Sequence, residues 1–252
     1  MIHARAALVA LLLGACTSPD PRLPPFAARP YQPLHRAAVV AIAEREWRVF
    51  GSPVDDGAAP AAADKPERDE GLWQRVGEYW YTGMPADAPE LGWTGRHDAH
   101  GRVFPRDDDA DYAWSAAFVS YVMRIAGAAD GFPYAAAHAD YIDAAIAGRA
   151  RLLAAHAPDA YAPVPGDLIC MGRGWAATVS LDHLPTTRFP AHCDIVVARR
   201  PDMLDVVGGN VDDAVTMKHV PLAANGRLAD AHGTRADPRW PWFVVLELLA
   251  PP

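Results

Sequence analysis

Apolar residues recur at helical spacing along the first half of the chain and in short alternating runs along the second half. From His35 to Phe50, Ala38, Val39, Ile42, Trp47 and Phe50 fall near one face, with Glu44, Arg45 and Arg48 between them. That pattern predicts an amphipathic helix, which Gly51 ends. The following stretch to Glu70 offers only Val54 and alanines for burial and predicts a loop. Gly71 to Tyr81 places Leu72, Val76 and Trp80 on one face of a second helix, and residues 83–111 form a long polar connection. Within Trp114 to Gly127, Phe118, Tyr121, Val122 and Ile125 stand at i, i+3, i+4 and i+7, which marks a strongly buried helix. A further helical stretch is expected from Tyr134 to His156. Five β-rich runs then follow between Gly, Pro and Asp turns: Val164–Met171, His192–Ala198, Met203–Val207, Ala214–Val220 and Phe243–Leu249. Helices first and strands afterwards predict an α+β domain with a mostly antiparallel sheet, not an alternating α/β fold.

The amino-terminal end has a different character. One arginine, Arg5, precedes an apolar run from Ala6 to Leu13, and small residues follow. This is the layout of a secretory signal, and the run is too short to span a membrane core needing roughly 20 apolar residues. Leu13-Gly14-Ala15-Cys16 resembles the lipobox of bacterial lipoproteins. The resemblance implies cleavage before Cys16 and acylation of its thiol, with Thr17 at the next position implying sorting to the outer membrane. The Pro-rich residues that follow suit an extended tether. The expected organisation is a signal at 1–15, a tether at 16–34 and a single domain at 35–252, on the periplasmic side of the envelope.

The formal charge of −8, with no cluster of Lys and Arg, argues against a nucleic-acid surface. In an oxidising compartment, Cys170 and Cys193 are the remaining pair of thiols, for which a disulfide is the favoured reading and two buried free thiols the other. His97, Asp98 and His100 lie close together but lack a closed ligand set, so they read as solvated loop residues. No metal and no cofactor is expected.

Several short motifs occur in a telling order: Trp114-Ser-Ala-Ala-Phe-Val-Ser-Tyr-Val-Met-Arg124, His138 with Tyr141, Gly166-Asp-Leu-Ile-Cys170, His192-Cys-Asp-Ile-Val-Val197, and Gly208-Gly-Asn210 at an expected turn. Together they resemble the domain-of-unknown-function family 2272, and more broadly the papain-related CHAP and NlpC-type amidases of bacterial cell walls. That resemblance implies a papain-like fold over roughly Val39 to Leu249. In those amidases a cysteine opens the helix, where free N–H groups favour the thiolate, and a strand histidine takes its proton. Here that position is Ser115. A serine hydroxyl depends on an aligned base, so the expected set is Ser115 as nucleophile, His192 as base, and Asn210 or Asp194 orienting the ring. Asp194, two residues beyond His192 on a strand, shares its face; the alternative roles for it are binding a cationic substrate group and pairing with an arginine. Ser115 also fits the profile of a helix N-cap.

The implied function is hydrolysis of an amide bond in peptidoglycan or envelope peptide by a lipid-anchored protein. The rivals are a non-catalytic envelope-binding module and a serine esterase-like hydrolase. The stretch between Met171 and His192 is long for a hairpin and suggests a lid or partner surface, with Cys170 and Cys193 at its base. Trp93 and Trp175, in polar loops, are candidates for stacking on a sugar.

Overall fold

A computed structural model describes residues 33–57, 65–185 and 187–251. Cys16 and the residues expected to form the signal and most of the tether lie outside them. Among the described residues are four α-helices: α1 (Arg36–Val49), α2 (Leu72–Gly83), α3 (Ser115–Ile125) and α4 (His138–Ile146). The strands are β1 (Leu153–His156), β2 (Leu168–Gly172), β3 (Ala191–Arg199), β4 (Met203–Val211), β5 (Ala214–Pro221) and β6 (Trp242–Leu248). They form one sheet in the order β1-β6-β2-β3-β4-β5, with every neighbouring pair antiparallel. The α+β expectation therefore stands. No helix among the described residues is long and apolar enough to cross a membrane.

Two expected elements differ. The stretch Tyr134–His156 is not one helix: α4 ends at Ile146, Gly148 takes a left-handed φ of 65°, and Leu153–His156 pairs with β6 as an edge strand. Leu-Ala-Ala-His has good helix propensity, but propensity is a weak prior against a ladder of backbone hydrogen bonds. Gly208-Gly209-Asn210 is not at a turn either. It lies within β4, where the register shifts between Gly208 and Val211 and Asn210 takes a φ of 55°. The turn comes later, at Asp212 and Asp213, whose φ values of 51° and 58° suit a two-residue hairpin.

The sheet carries a different core on each face. Cys170, Cys193, Ile195, Val197 and Val207 join Val39, Val76, Phe118, Val122 and Ile142 in the larger core, beneath the helices. Ile169, Val196, Leu204, Val206, Val220 and Val245 face the other way, into a smaller core closed by Leu222, Leu228 and Trp242. Strand alternation fixes this partition. Cys170 and Cys193 sit directly opposite each other on β2 and β3 and are disulfide-bonded, with Cα atoms 4.1 Å apart.

Two buried carboxylates fasten the helices. Glu46 of α1 accepts from Arg75 of α2 at 2.6 and 2.5 Å and from the Tyr79 hydroxyl at 2.9 Å. Burial pushes its carboxyl up, but Arg75, Arg45 and Tyr79 outweigh that and hold it below the usual range. Asp167, the acid of the Gly-Asp-Leu motif, accepts from Arg36 at 2.5 Å, from the Leu248 amide at 2.9 Å and from the Val164 amide at 2.9 Å. It joins the start of α1, the end of β6 and the turn into β2, although it is fully buried.

Removing Asp167 strips three donors of their acceptor. Asp167→Ala should cost about 3 kcal/mol in urea denaturation, and Asp167→Asn less. A loss below about 1 kcal/mol would show that the fastening is incidental.

Candidate active site

Ser115 is the first residue of α3, and the helix takes Trp114 as its N-cap with no side-chain cap. The hydroxyl is therefore not used as a cap. Ser115 Oγ lies 2.7 Å from Nε2 of His138, the first residue of α4. Three residues on and one helical turn away, the Tyr141 hydroxyl lies 2.5 Å from His138 Nδ1. Phe132 packs against Tyr141 at 5.4 Å between ring centroids and limits its movement. His138 and Tyr141 are both buried.

The protons of this row can be counted. Burial pushes the Tyr141 hydroxyl well above its ordinary range, so it keeps its proton, and its one hydrogen-bond partner among the described residues is His138. A buried donor left without an acceptor is costly, so Tyr141 donates to Nδ1. Burial first, and then the neighbouring His192, push His138 well below the usual histidine range, so the ring is neutral. Its single proton is then on Nε2 and is donated to Ser115 Oγ. The proton of Ser115 itself remains available for another acceptor.

The strand residues form a second row. His192 Nε2 lies 2.7 Å from Asp194 Oδ1, and Lys218 Nζ donates to Asp194 Oδ2 at 2.8 Å. All three residues are at most 2% exposed. Burial raises the Asp194 carboxyl, but Lys218 and His192 together overcome this and hold it well below the usual range. An ionised carboxylate only accepts, so the His192 proton sits on Nε2. Burial holds this ring below the usual histidine range despite Asp194. Nδ1 is thus a bare lone pair, and it has no hydrogen-bond partner among the described residues. The two imidazoles meet edge to face, 5.2 Å apart between centroids.

The backbone makes room for the second row. A Cβ on Gly208 would come within 1.9 Å of Asp194 Oδ1 and 2.9 Å of His192 Nε2, and one on Gly209 within 2.5 Å of the Phe118 side chain. The paired glycines let β4 pass between the buried acid and α3.

Ser115 and His138 line a cleft of about 710 Å³, together with Lys65, Asp109, Arg173, Arg188, Asn210, Asp212 and Asp213. A smaller cavity of about 160 Å³ contains His192, Lys218 and Trp240, and shares Arg173, Asn210 and Asp212 with the cleft. Of the residues expected from sequence, His192 and Asp194 are joined directly, and the cation on Asp194 is a lysine and not an arginine. Ser115 is bonded to His138 instead of His192. Asn210 borders both spaces and makes no hydrogen bond to His192. His138 had a visible sequence signal, its i, i+3 spacing to Tyr141. Lys218 and Arg173 had none, since each sits in a strand or loop with no local motif.

Outside the cleft, Trp175 is 66% exposed, whereas Trp93 is packed against Trp80 and Tyr112. The stretch between Met171 and His192 is anchored by Arg188 on Asp140 and by buried Phe189 against Phe243. His97 is held by Thr94 at 3.1 Å and lies against Trp73.

Residues 67–248 match the family described as "Uncharacterized protein conserved in bacteria (DUF2272)". This is well over half of the chain and includes every residue of both rows, so the chain belongs to that family. No curated protein and no solved structure matches it.

Behind the site, the Trp114 indole donates to the buried carboxyl of Glu67, which burial raises to about 8. The folded protein therefore holds this proton more tightly than the unfolded chain, whose ordinary glutamate titrates near 4.3. The stability this lends is full below that value and is lost as pH rises through 8. Glu67→Gln should be more stable than the wild type at pH 9, with the two melting curves converging at pH 4. Parallel melting temperatures across that range would refute the linkage.

Proposed function

Taking membership of this family as the premise, we propose that the chain is a serine-dependent amidohydrolase or peptidase of the cell envelope, with Ser115 as nucleophile and His192 as its base. The observation that carries the reading is the proton count. Ser115 keeps a free proton, and the neighbouring imidazole offers a lone pair whose other nitrogen is tied to an ionised acid. When the hydroxyl turns from His138 toward His192, its proton passes to Nδ1 as Oγ attacks the acyl carbon. Asp194 stabilises the imidazolium formed, and Lys218 keeps Asp194 ionised. His138 holds Oγ in place before attack and Tyr141 fixes its ring. Free N–H groups at the start of α3 are suited to stabilise the oxyanion.

The papain-like layout of CHAP and NlpC-type amidases supports peptidoglycan or envelope peptide as substrate. In this reading serine replaces the usual cysteine and the strand histidine keeps its role. The same reading takes Cys16 as acylated and the protein as tethered on the periplasmic side of the outer membrane. Labelling with a fatty acid in growing cells, lost in Cys16→Ala, tests that location. If wild type and variant carry equal label, the anchor is wrong.

A second reading makes His138 the base, and its favouring observation is the 2.7 Å contact with Ser115. Reaction with a fluorophosphonate probe separates the two. Ser115→Ala should abolish labelling, and His192→Ala should slow it by about a hundredfold or more, the usual contribution of a general base. His138→Ala should slow it less; the reverse order transfers the role to His138. Incubation with peptidoglycan fragments then tests substrate. Cleavage by Ser115→Cys but not by the wild type would point to a binding scaffold.

A further inference from the structure

The cations around the cleft are nearly all occupied. Lys65 lies 2.6 Å from Asp109 and 3.4 Å from Asp213, Arg188 is paired with Asp140, and Lys218 is held by Asp194. Arg173 differs. It lines both the cleft and the adjoining cavity, is exposed, and makes no ion pair and no side-chain hydrogen bond among the described residues.

Its backbone is nevertheless fixed. The Arg173 amide donates to the Pro190 carbonyl at 2.9 Å, closing the root of the segment that joins β2 to β3. Gly172, just before it, has no room for a Cβ, which would lie 1.9 Å from the Ala176 carbonyl oxygen. The guanidinium is close enough to oppose protonation of both His138 and His192. Asp212, on the facing hairpin, also borders both spaces, but is not paired with Arg173 within 4.0 Å.

A free, planar guanidinium at the edge of a partly enclosed cleft matches a carboxylate in bidentate geometry. The two imidazoles beside it are neutral and offer no competing positive charge. The chain's formal charge of −8 and the carboxylates of Asp109, Asp212 and Asp213 along the cleft oppose anions in general, so an incoming carboxylate depends on Arg173, the lining cation without an ion pair among the described residues.

We propose that Arg173 is a specificity residue that anchors a free carboxylate of the substrate next to the bond attacked by Ser115. The substrate class is a peptide or acylated amino acid whose unblocked carboxylate lies close to the scissile bond. This inference rests on the reading of Ser115 as nucleophile, but its binding test does not require turnover.

The test uses the full chain and a matched pair of short N-acylated peptides, one ending in a free carboxylate and the other in a carboxamide. Calorimetry on Ser115→Ala, which binds without cleaving, should show the acid bound roughly tenfold to a hundredfold more tightly than the amide, the range for hydrogen bonds to a charged group. Arg173→Gln should erase that difference and Arg173→Lys retain part of it. In the active protein, Arg173→Gln should raise KM for the acid with kcat nearly unchanged, since it removes binding common to ground and transition states. Equal affinity for acid and amide, a preference that survives Arg173→Gln, or no binding of either peptide at millimolar concentration would each overturn the proposal. A preference abolished by Arg173→Gln in a protein that never turns over would sustain it while removing the hydrolase reading.

Discussion

Strand β3 turns Cys193, Ile195 and Val197 toward the helices, which forces His192, Asp194 and Val196 onto the other face. A shift of one residue would exchange the two sets and drive a buried acid into the helix core, so the register is strongly specified. The disulfide to Cys170 pins the same register from the neighbouring strand. The position of the histidine, the need for glycine on β4 and the reach of α3 all follow from this alternation.

Burying Asp194 on the face of the sheet away from the helices is expensive unless its charge is compensated. Lys218 arrives from β5, two strands away, and His192 from the same strand, so both carboxylate oxygens are satisfied. The space is made by omission: Gly208 and Gly209 carry no Cβ where one would strike Asp194 on one side and Phe118 on the other. The result is an imidazole whose tautomer is set by the buried acid. Ordered polar rows of this kind hold their members more rigidly than isolated contacts do.

The second imidazole belongs to a separate element. His138 opens α4, and its neighbour one turn on, Tyr141, supplies the hydrogen bond that sets its tautomer in the opposite sense. One ring presents N–H to Ser115 and the other presents a lone pair. Ser115 meets His138 where α3 and α4 begin, and the His138 ring meets that of His192 on β3, 5.2 Å apart between centroids.

The sequence by itself determined which segments are helix and which are strand wherever a hydrophobic face repeats over many residues, as in Arg36–Val49 and Ser115–Ile125. It also determined that His192 and Asp194 share a face, because a strand's period is two. It misplaced Leu153–His156, whose local preference is helical and whose strand form exists only through pairing with β6. It left Gly208-Gly209-Asn210 at a turn, since the crowding that requires those glycines comes from residues distant along the chain. Only the tertiary structure decided that Ser115 bonds His138 instead of capping its helix, that Lys218 neutralises Asp194, and that Arg173 lines the cleft with no ion pair among the described residues. Those relations join residues far apart in sequence, where periodicity carries no information and only the packing of separate elements sets distance.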